Sequence, residues 1–172
     1  PTPTPTPIPT PTPGRLATYT QGGWGSKPSG NNPGMLLKNH FTGIYPNGVT
    51  IGGKHTLKFT SAKAIQDFLP QGGGPGVLTA SHVNPTKSLT VLAGQVLALQ
   101  LNVDFSDAGV TPAGLGNVVL SSGKMAGTTI ANVLKIANQV LGDAVSALPH
   151  GMSISDLNEV VAGINQKYDN GG

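Results

Sequence analysis

The chain has 172 residues, enough for one domain with a sizeable hydrophobic core and a short appendage. Charged residues make up only 10% of it, and the formal net charge of +3 comes from basic residues spread singly along the sequence. This pattern argues against a nucleic-acid-binding protein and against a basic membrane-binding patch. Cysteine is absent, which excludes disulfides, thiolate chemistry and cysteine-based zinc sites.

Residues 1–13, PTPTPTPIPTPTP, carry proline at every odd position. Proline fixes its own φ and keeps the preceding residue out of the helical region, so this segment, the Pro-Thr arm, is predicted to form polyproline II. At about 3.1 Å per residue a stiff arm of this kind spans about 40 Å. We therefore divide the chain into an extended tail, residues 1–17, and a globular domain, residues 18–172. Stalks rich in Thr and Pro often carry O-linked sugars, and the candidate sites are Thr2, Thr4, Thr6, Thr10 and Thr12.

Residues 14–34 are rich in glycine and proline and predict a loop. The loop contains Tyr19 and the only tryptophan, Trp24, and two interpretations of these aromatic residues stay open. In one, Tyr19, Trp24 and Tyr45 form a platform that contacts a sugar or a partner. In the other, Trp24 covers one end of the core, which is the commoner arrangement for a lone tryptophan.

Hydrophobic periodicity and capping residues predict five helices and a few short strands in the rest of the chain. The predicted helices are a short one at Met35–Phe41 after Asn32 and Pro33, one at 62–69 capped by Ser61, a central one at Ser88–Val103, one from Thr128 or Thr129 to Leu141, and one from Ser153 to Asn170–Gly171. The predicted strands are 49–53, 55–60, 77–80 and 117–120.

The central helix lies in the longest apolar run of the chain, residues 88–105. Its second half also fits the alternation of a strand, but the length of the run and its non-alternating first half favour a helix that is buried on most sides. Interrupted by Gln95 and Gln100, it is too short to span a bilayer, which needs about 20 apolar residues. We expect an α+β fold, mainly helical, built as a single domain around this helix.

Two short patterns suggest phosphate or calcium binding, but each lacks an essential residue. Residues 48–55, GVTIGGKH, have the spacing of a phosphate-binding loop, yet His55 replaces the required Ser or Thr and a strand follows instead of a helix. Asn102, Asp104 and Ser106 stand at calcium-loop intervals, yet no acidic residue occupies the twelfth position. We therefore predict neither site.

Signatures of catalysis are also missing from the sequence. There is no G-x-S-x-G nucleophile elbow, and the four histidines lack the pair spacing of a zinc helix. The prediction is a protein with no enzymatic activity and with no catalytic residue, cofactor or metal. An enzyme whose residues meet only in the fold, with His82 or His150 beside an aspartate, stays as an alternative.

Several segments together are similar to an uncharacterised domain of large secreted bacterial surface proteins. They are TYTQGGWG (18–25), LLKNHF (36–41), TIGGKHTLKFTSAKAIQDFLP (50–70), AGQVLALQLNV (93–103) and ISDLNEVVAGINQKYDNG (154–171). A related subset opens with a YTQGYWKNH-type motif, of which this chain keeps QGGW and, separately, KNH. The resemblance covers 18–171 and implies an extracellular or cell-surface location, often beside repetitive linkers, with no established activity.

The sequence thus leads to two functional hypotheses. The first is a secreted, non-enzymatic structural protein, a filament or surface-layer subunit that assembles with itself, with its tail docked on a neighbour, O-glycosylated, or both. The second is a carbohydrate-binding or adhesion module held by a stalk on a larger secreted protein. Low charge and a start at Pro1 without a leader segment favour a processed extracellular protein. The expected partners are other copies of the chain and glycans, without nucleic acid or a membrane span.

Overall fold

The long apolar segments of the chain converge on one helix. The computed structural model describes residues 16–86 and 89–169. In chain order its elements are α1 Gln21–Trp24, α2 Pro33–Ile44, β1 Val49–Gly52, β2 Thr56–Phe59, α3 Ala62–Phe68, β3 His82–Val83, α4 Val91–Asp107, α5 Ile130–Leu141 and α6 Ile154–Lys167. Single 3-10 turns occupy Leu115–Asn117 and Val145–Ala147. This is the mainly helical α+β fold that the sequence predicts.

Helix α4 forms the centre of the body. Twelve of its 17 residues are buried, which explains why hydrophobic side chains occur on nearly every side of it. Helices α1, α5 and α6 and strand β1 pack around it. The side chain of Thr90 caps its N-terminus by accepting a hydrogen bond from the Leu92 backbone N–H at 3.2 Å. The prediction of a buried core helix is therefore confirmed.

The three strands form one small sheet in the order β1-β2-β3. Strands β1 and β2 are an antiparallel hairpin in which Val49 lies opposite Phe59, and they fall within the strands predicted at 49–53 and 55–60. The hairpin is fastened to the end of α5, because Gly52 N–H donates to Asn138 Oδ1 at 2.8 Å and His55 N–H donates to the Gly142 carbonyl at 3.1 Å. The sheet and the helices thus share one core.

Capping residues identified in the sequence mark the helix starts correctly. Each N-cap side chain accepts a hydrogen bond from a backbone N–H three residues later: Asn32 from Met35, Ser61 from Ala64, Thr129 from Asn132, and Ser153 from Asp156. At α6 the Asp156 carboxylate also accepts from the Ser153 backbone N–H, which completes the predicted capping box. Local sequence therefore determines where these four helices begin.

Three local predictions are wrong. Residues 14–34 are not all loop, because α1 forms in the glycine-rich stretch and α2 already begins at Pro33. The strand predicted at 77–80 is absent, and β3 instead lies at His82–Val83, paired in parallel with β2. The strand predicted at 117–120 is reduced to a single bridge between Val119 and Thr129. In each case contacts that are distant in sequence override the local pattern.

Other predictions fall outside the described residues. They are the conformation of the Pro-Thr arm and the candidate O-glycosylation sites Thr2, Thr4, Thr6, Thr10 and Thr12. The helix bounds, in contrast, are described and differ from the prediction: α4 runs from Val91 to Asp107 instead of Ser88–Val103, and α6 ends at Lys167, before Asn170–Gly171. The described part of the chain begins at Leu16, which packs against the core, and continues with the buried Ala17.

Candidate functional site

A buried asparagine, Asn102 of α4, joins the beginning of the described chain to the last helix. Its Oδ1 accepts hydrogen bonds from Tyr19 N–H at 2.8 Å and from Trp24 Nε1–H at 3.0 Å. Its Nδ2 donates to the Tyr19 carbonyl at 2.9 Å and to Asn165 Oδ1 at 2.9 Å. Asn165 Nδ2 in turn donates to the Gln95 carbonyl and to Gln95 Oε1. This asparagine cluster satisfies buried polar groups from α1, α4 and α6 at once.

The cluster decides between the two interpretations of Trp24. The indole is fully buried and packs against Phe105 at 4.8 Å between ring centroids. Its only hydrogen-bond donor, Nε1–H, is bound to Asn102. A sugar ring needs an open aromatic face, and Trp24 has none to offer. The platform prediction is therefore wrong for Trp24, and the core interpretation is correct. Tyr19, the neighbour of the indole at 5.1 Å, is half-buried.

Tyr45, the third residue of the predicted platform, is also buried, with 8% exposure. Its hydroxyl donates to Asp104 Oδ2 at 2.7 Å, and Gln100 Nε2 donates to the same oxygen at 3.0 Å. Gln100 Oε1 then accepts from Asn138 Nδ2 at 3.0 Å. This chain of bonds links the end of α2, α4 and α5, so Tyr45 is a structural residue, and the prediction that it contacts a sugar is wrong.

Burial shifts the pKa values of both members of the Tyr45–Asp104 pair. Burial raises the pKa of the Asp104 carboxyl above its ordinary value, and the hydrogen bonds from Gln100 and Tyr45 lower it only in part. Burial, reinforced by the charge of Asp104, also raises the pKa of the Tyr45 phenol, so the hydroxyl stays protonated. Both groups are used inside the body, where they hold elements together.

The two histidines considered for catalysis lie on the surface. His82 lies exposed in β3, and His150 lies exposed before α6. In residues 16–86 and 89–169, neither is hydrogen-bonded or ion-paired to an aspartate, and no group of three or more acidic or histidine side chains could hold a metal ion. The fold therefore does not bring the suggested His–Asp pair together.

The base of the N-terminal tail is fixed to the end of α6. Thr18 is fully buried, its N–H donates to the Tyr168 carbonyl at 3.0 Å, and its Oγ1 accepts from Tyr168 N–H at 3.0 Å. Thr18 and Asp169 pair in parallel. Because the pairing is parallel, the segment from Thr18 back to Leu16 runs in the same direction as the segment from Asp169 back to Lys167. The first described residues therefore lie beside the C-terminal end of α6.

An open groove of about 360 Å³ runs along α6 and begins at this same end. One wall is a continuous face of the helix, and the other is the loop after the Val119 bridge. The residues of this α6 groove are Asp156, Glu159, Val160, Gly163, Ile164 and Lys167 of α6 with Leu120, Ser122, Gly123 and Lys124 of the loop. Its floor is apolar, and at its far end Lys124 and Asp156 form an ion pair at 2.8 Å.

A second groove, of about 500 Å³, lies between the loop after α1 and helices α2 and α3. Its rim carries Lys27, Lys38 and Lys63, and Lys63 is paired with Asp67 at 2.9 Å on the surface of α3. Exposed pairs of this kind contribute little to stability and are screened by salt. The groove offers two further cations on exposed side chains, with no buried polar group to orient a ligand.

No protein-family model, curated protein or solved structure matches this chain. Across residues 16–86 and 89–169, every helix is too short or too polar to cross a membrane.

Proposed function

We propose that the protein is a non-enzymatic structural module of the cell exterior that assembles with itself, and that the Pro-Thr arm of one copy docks on the next. The observation that supports this most directly is the fixed base of the tail. Ala17 and Thr18, which follow the arm in the sequence, are buried, and two hydrogen bonds hold Thr18 against the end of α6. A stiff arm on a fixed base reaches a neighbour from a defined direction.

The chemistry of the arm fits this role. Polyproline II is already extended before binding, so its docking costs little conformational entropy. An arm that binds a different surface on the next copy makes a head-to-tail contact, and repetition of that contact gives a ring or a filament. The low charge of the chain removes most of the repulsion between copies.

The extracellular location and the sugars belong to the same proposal. The resemblance to secreted bacterial surface proteins and the low content of charged residues support the location. O-linked sugars are proposed only for arm threonines that lie outside the contact with the neighbouring copy. The alternative of a carbohydrate-binding or adhesion module is weaker, because two of the three aromatic residues suggested for it are in the core.

Removal of residues 1–13 tests the proposal. Sedimentation velocity of the full chain at several concentrations should show particles larger than the 17.4 kDa monomer, and the shortened chain should sediment as a monomer. A third protein, with the arm replaced by a Gly-Ser segment of equal length, separates the effect of sequence from that of length and should also be monomeric. Equal particle sizes for all three proteins would refute arm-mediated assembly.

A further inference from the structure

We propose that the α6 groove is the site that receives the Pro-Thr arm, and that the arm comes from a second copy of the chain. This inference rests on the proposed function, because it names the surface through which assembly would occur.

The Pro-Thr arm is long enough to fill the α6 groove of another copy. The groove follows α6 from Lys167 to Asp156, eleven residues at 1.5 Å each, or about 17 Å. Five or six residues of polyproline II at about 3.1 Å each cover that length, and the whole arm spans about 40 Å. More than half of the arm therefore remains to bridge the gap between two bodies. An arm that only lay in the groove of its own body would extend well beyond the end of α6.

The side chains of the arm match the lining of the α6 groove chemically. The arm has no charged side chain, and proline rings and threonine methyl groups are the surfaces it presents. The floor of the groove is formed by Leu120, Val160 and Ile164, which such surfaces can cover. The carbonyls of polyproline II have no internal partner, and Ser122 and Lys167 at the rim are hydrogen-bond donors for them. Ile8 is the only residue of the arm that is neither Pro nor Thr, so we assign it as the apolar anchor.

Gly163 leaves open space on the helix side of the groove. It lies in the interior of α6, is exposed on the groove floor, and has no atom within 4 Å of the position that a Cβ would occupy. Glycine there weakens the helix, and neither a positive φ nor a close neighbour within the body requires it. A glycine on the floor lets an extended backbone lie close to the helix. Gly43 of α2 is as open as Gly163 but does not line the groove, so Gly163 is the open helical glycine that a docked arm would contact.

The test compares two glycine-to-glutamine variants of the full chain. Gly163→Gln fills the groove, whereas Gly43→Gln, at an exposed and equally open position in α2, leaves it unchanged. Both should raise the melting temperature by about 1–2 °C, because glutamine is the better helix former. Only Gly163→Gln should lower the sedimentation coefficient to that of a monomer. Ile8→Thr should weaken assembly at least tenfold, whereas Thr6→Ser should leave it unchanged.

The outcomes separate this inference from the proposed function. If removal of the arm disperses the particles and Gly163→Gln does not, the arm docks elsewhere and only the groove assignment is overturned. If Gly163→Gln and Gly43→Gln disperse the particles equally, the assignment is also wrong. If the full chain is monomeric and Ile8→Thr increases the protease sensitivity of the arm, the arm lies in its own groove, which overturns docking between copies.

Discussion

The asparagine cluster makes Asn102→Ala the most informative single change in the body. The substitution removes the partner of four hydrogen bonds and leaves the Tyr19 N–H and carbonyl, Trp24 Nε1–H and Asn165 Oδ1 without it. Each buried polar group left unpaired costs about 1–3 kcal/mol, and water that enters the vacated space recovers part of it. We therefore expect a loss of about 3–5 kcal/mol in the free energy of unfolding, a large share of the stability of an ordinary domain.

Urea unfolding measures this loss, and the fluorescence of Trp24, the sole tryptophan, follows the transition. The matched control is Asn132→Ala, because Asn132 is an exposed residue in the first turn of α5 and its side chain should contribute less than about 0.5 kcal/mol. A loss below about 1 kcal/mol for Asn102→Ala would refute the assignment of the cluster as the link between α1, α4 and α6.

Three further substitutions probe other parts of the body. Trp24→Ala should lower the free energy of unfolding by about 3–5 kcal/mol, measured by urea unfolding followed by circular dichroism. An unchanged midpoint would contradict the burial of Trp24. Ser153→Ala should cost about 1 kcal/mol through loss of the α6 cap, whereas exposed Ser155→Ala should cost much less. Asp104→Asn removes a carboxyl whose pKa in the folded state is raised above its ordinary value. In wild type the protonated carboxyl stabilises the folded state at low pH, and this stabilisation is lost as pH rises through the raised pKa. The free energy of unfolding of the variant relative to wild type should therefore increase with pH over that window, and a flat difference would contradict the burial of Asp104.

The sequence was informative where structure is determined by neighbours in the chain. Side-chain caps at Asn32, Ser61, Thr129 and Ser153 act on a backbone N–H three residues away, so the helix starts could be predicted from spacing alone. The burial of α4 followed from hydrophobic residues on nearly all of its sides.

Elements that depend on distant partners could not be predicted in this way. Helix α1 contains two glycines and is held by the bond from Trp24 to Asn102, 78 residues away. Strand β3 depends on side-chain bonds across the loop, in which Ser81 Oγ accepts from Thr56 N–H and Asn84 Oδ1 accepts from Thr60 N–H. Neither partner is visible in a local window of sequence.

The candidate site divides in the same way. Asn102 and Asn165 are amides within apolar helical stripes, a signal that could have pointed to a buried polar cluster. The α6 groove could not have been found, because its walls come from segments some 40 residues apart and its position relative to the tail depends on the pairing of Thr18 with Asp169. Gly163 could not be singled out from the sequence, since its distinguishing feature is its position in the α6 groove.

The absence of cysteine allows a direct measurement of arm docking. Full-length chains carrying Ile8→Cys are mixed with chains carrying Gly163→Cys, and a mild oxidant is added to form disulfides, which require Cα atoms within about 7 Å. Docking of the arm in the groove of another copy predicts rapid formation of a dimer that contains one chain of each kind, and little dimer when Gly43→Cys replaces Gly163→Cys. Equal yields from the two mixtures, or a rapid disulfide only within single chains that carry both Ile8→Cys and Gly163→Cys, would contradict the account.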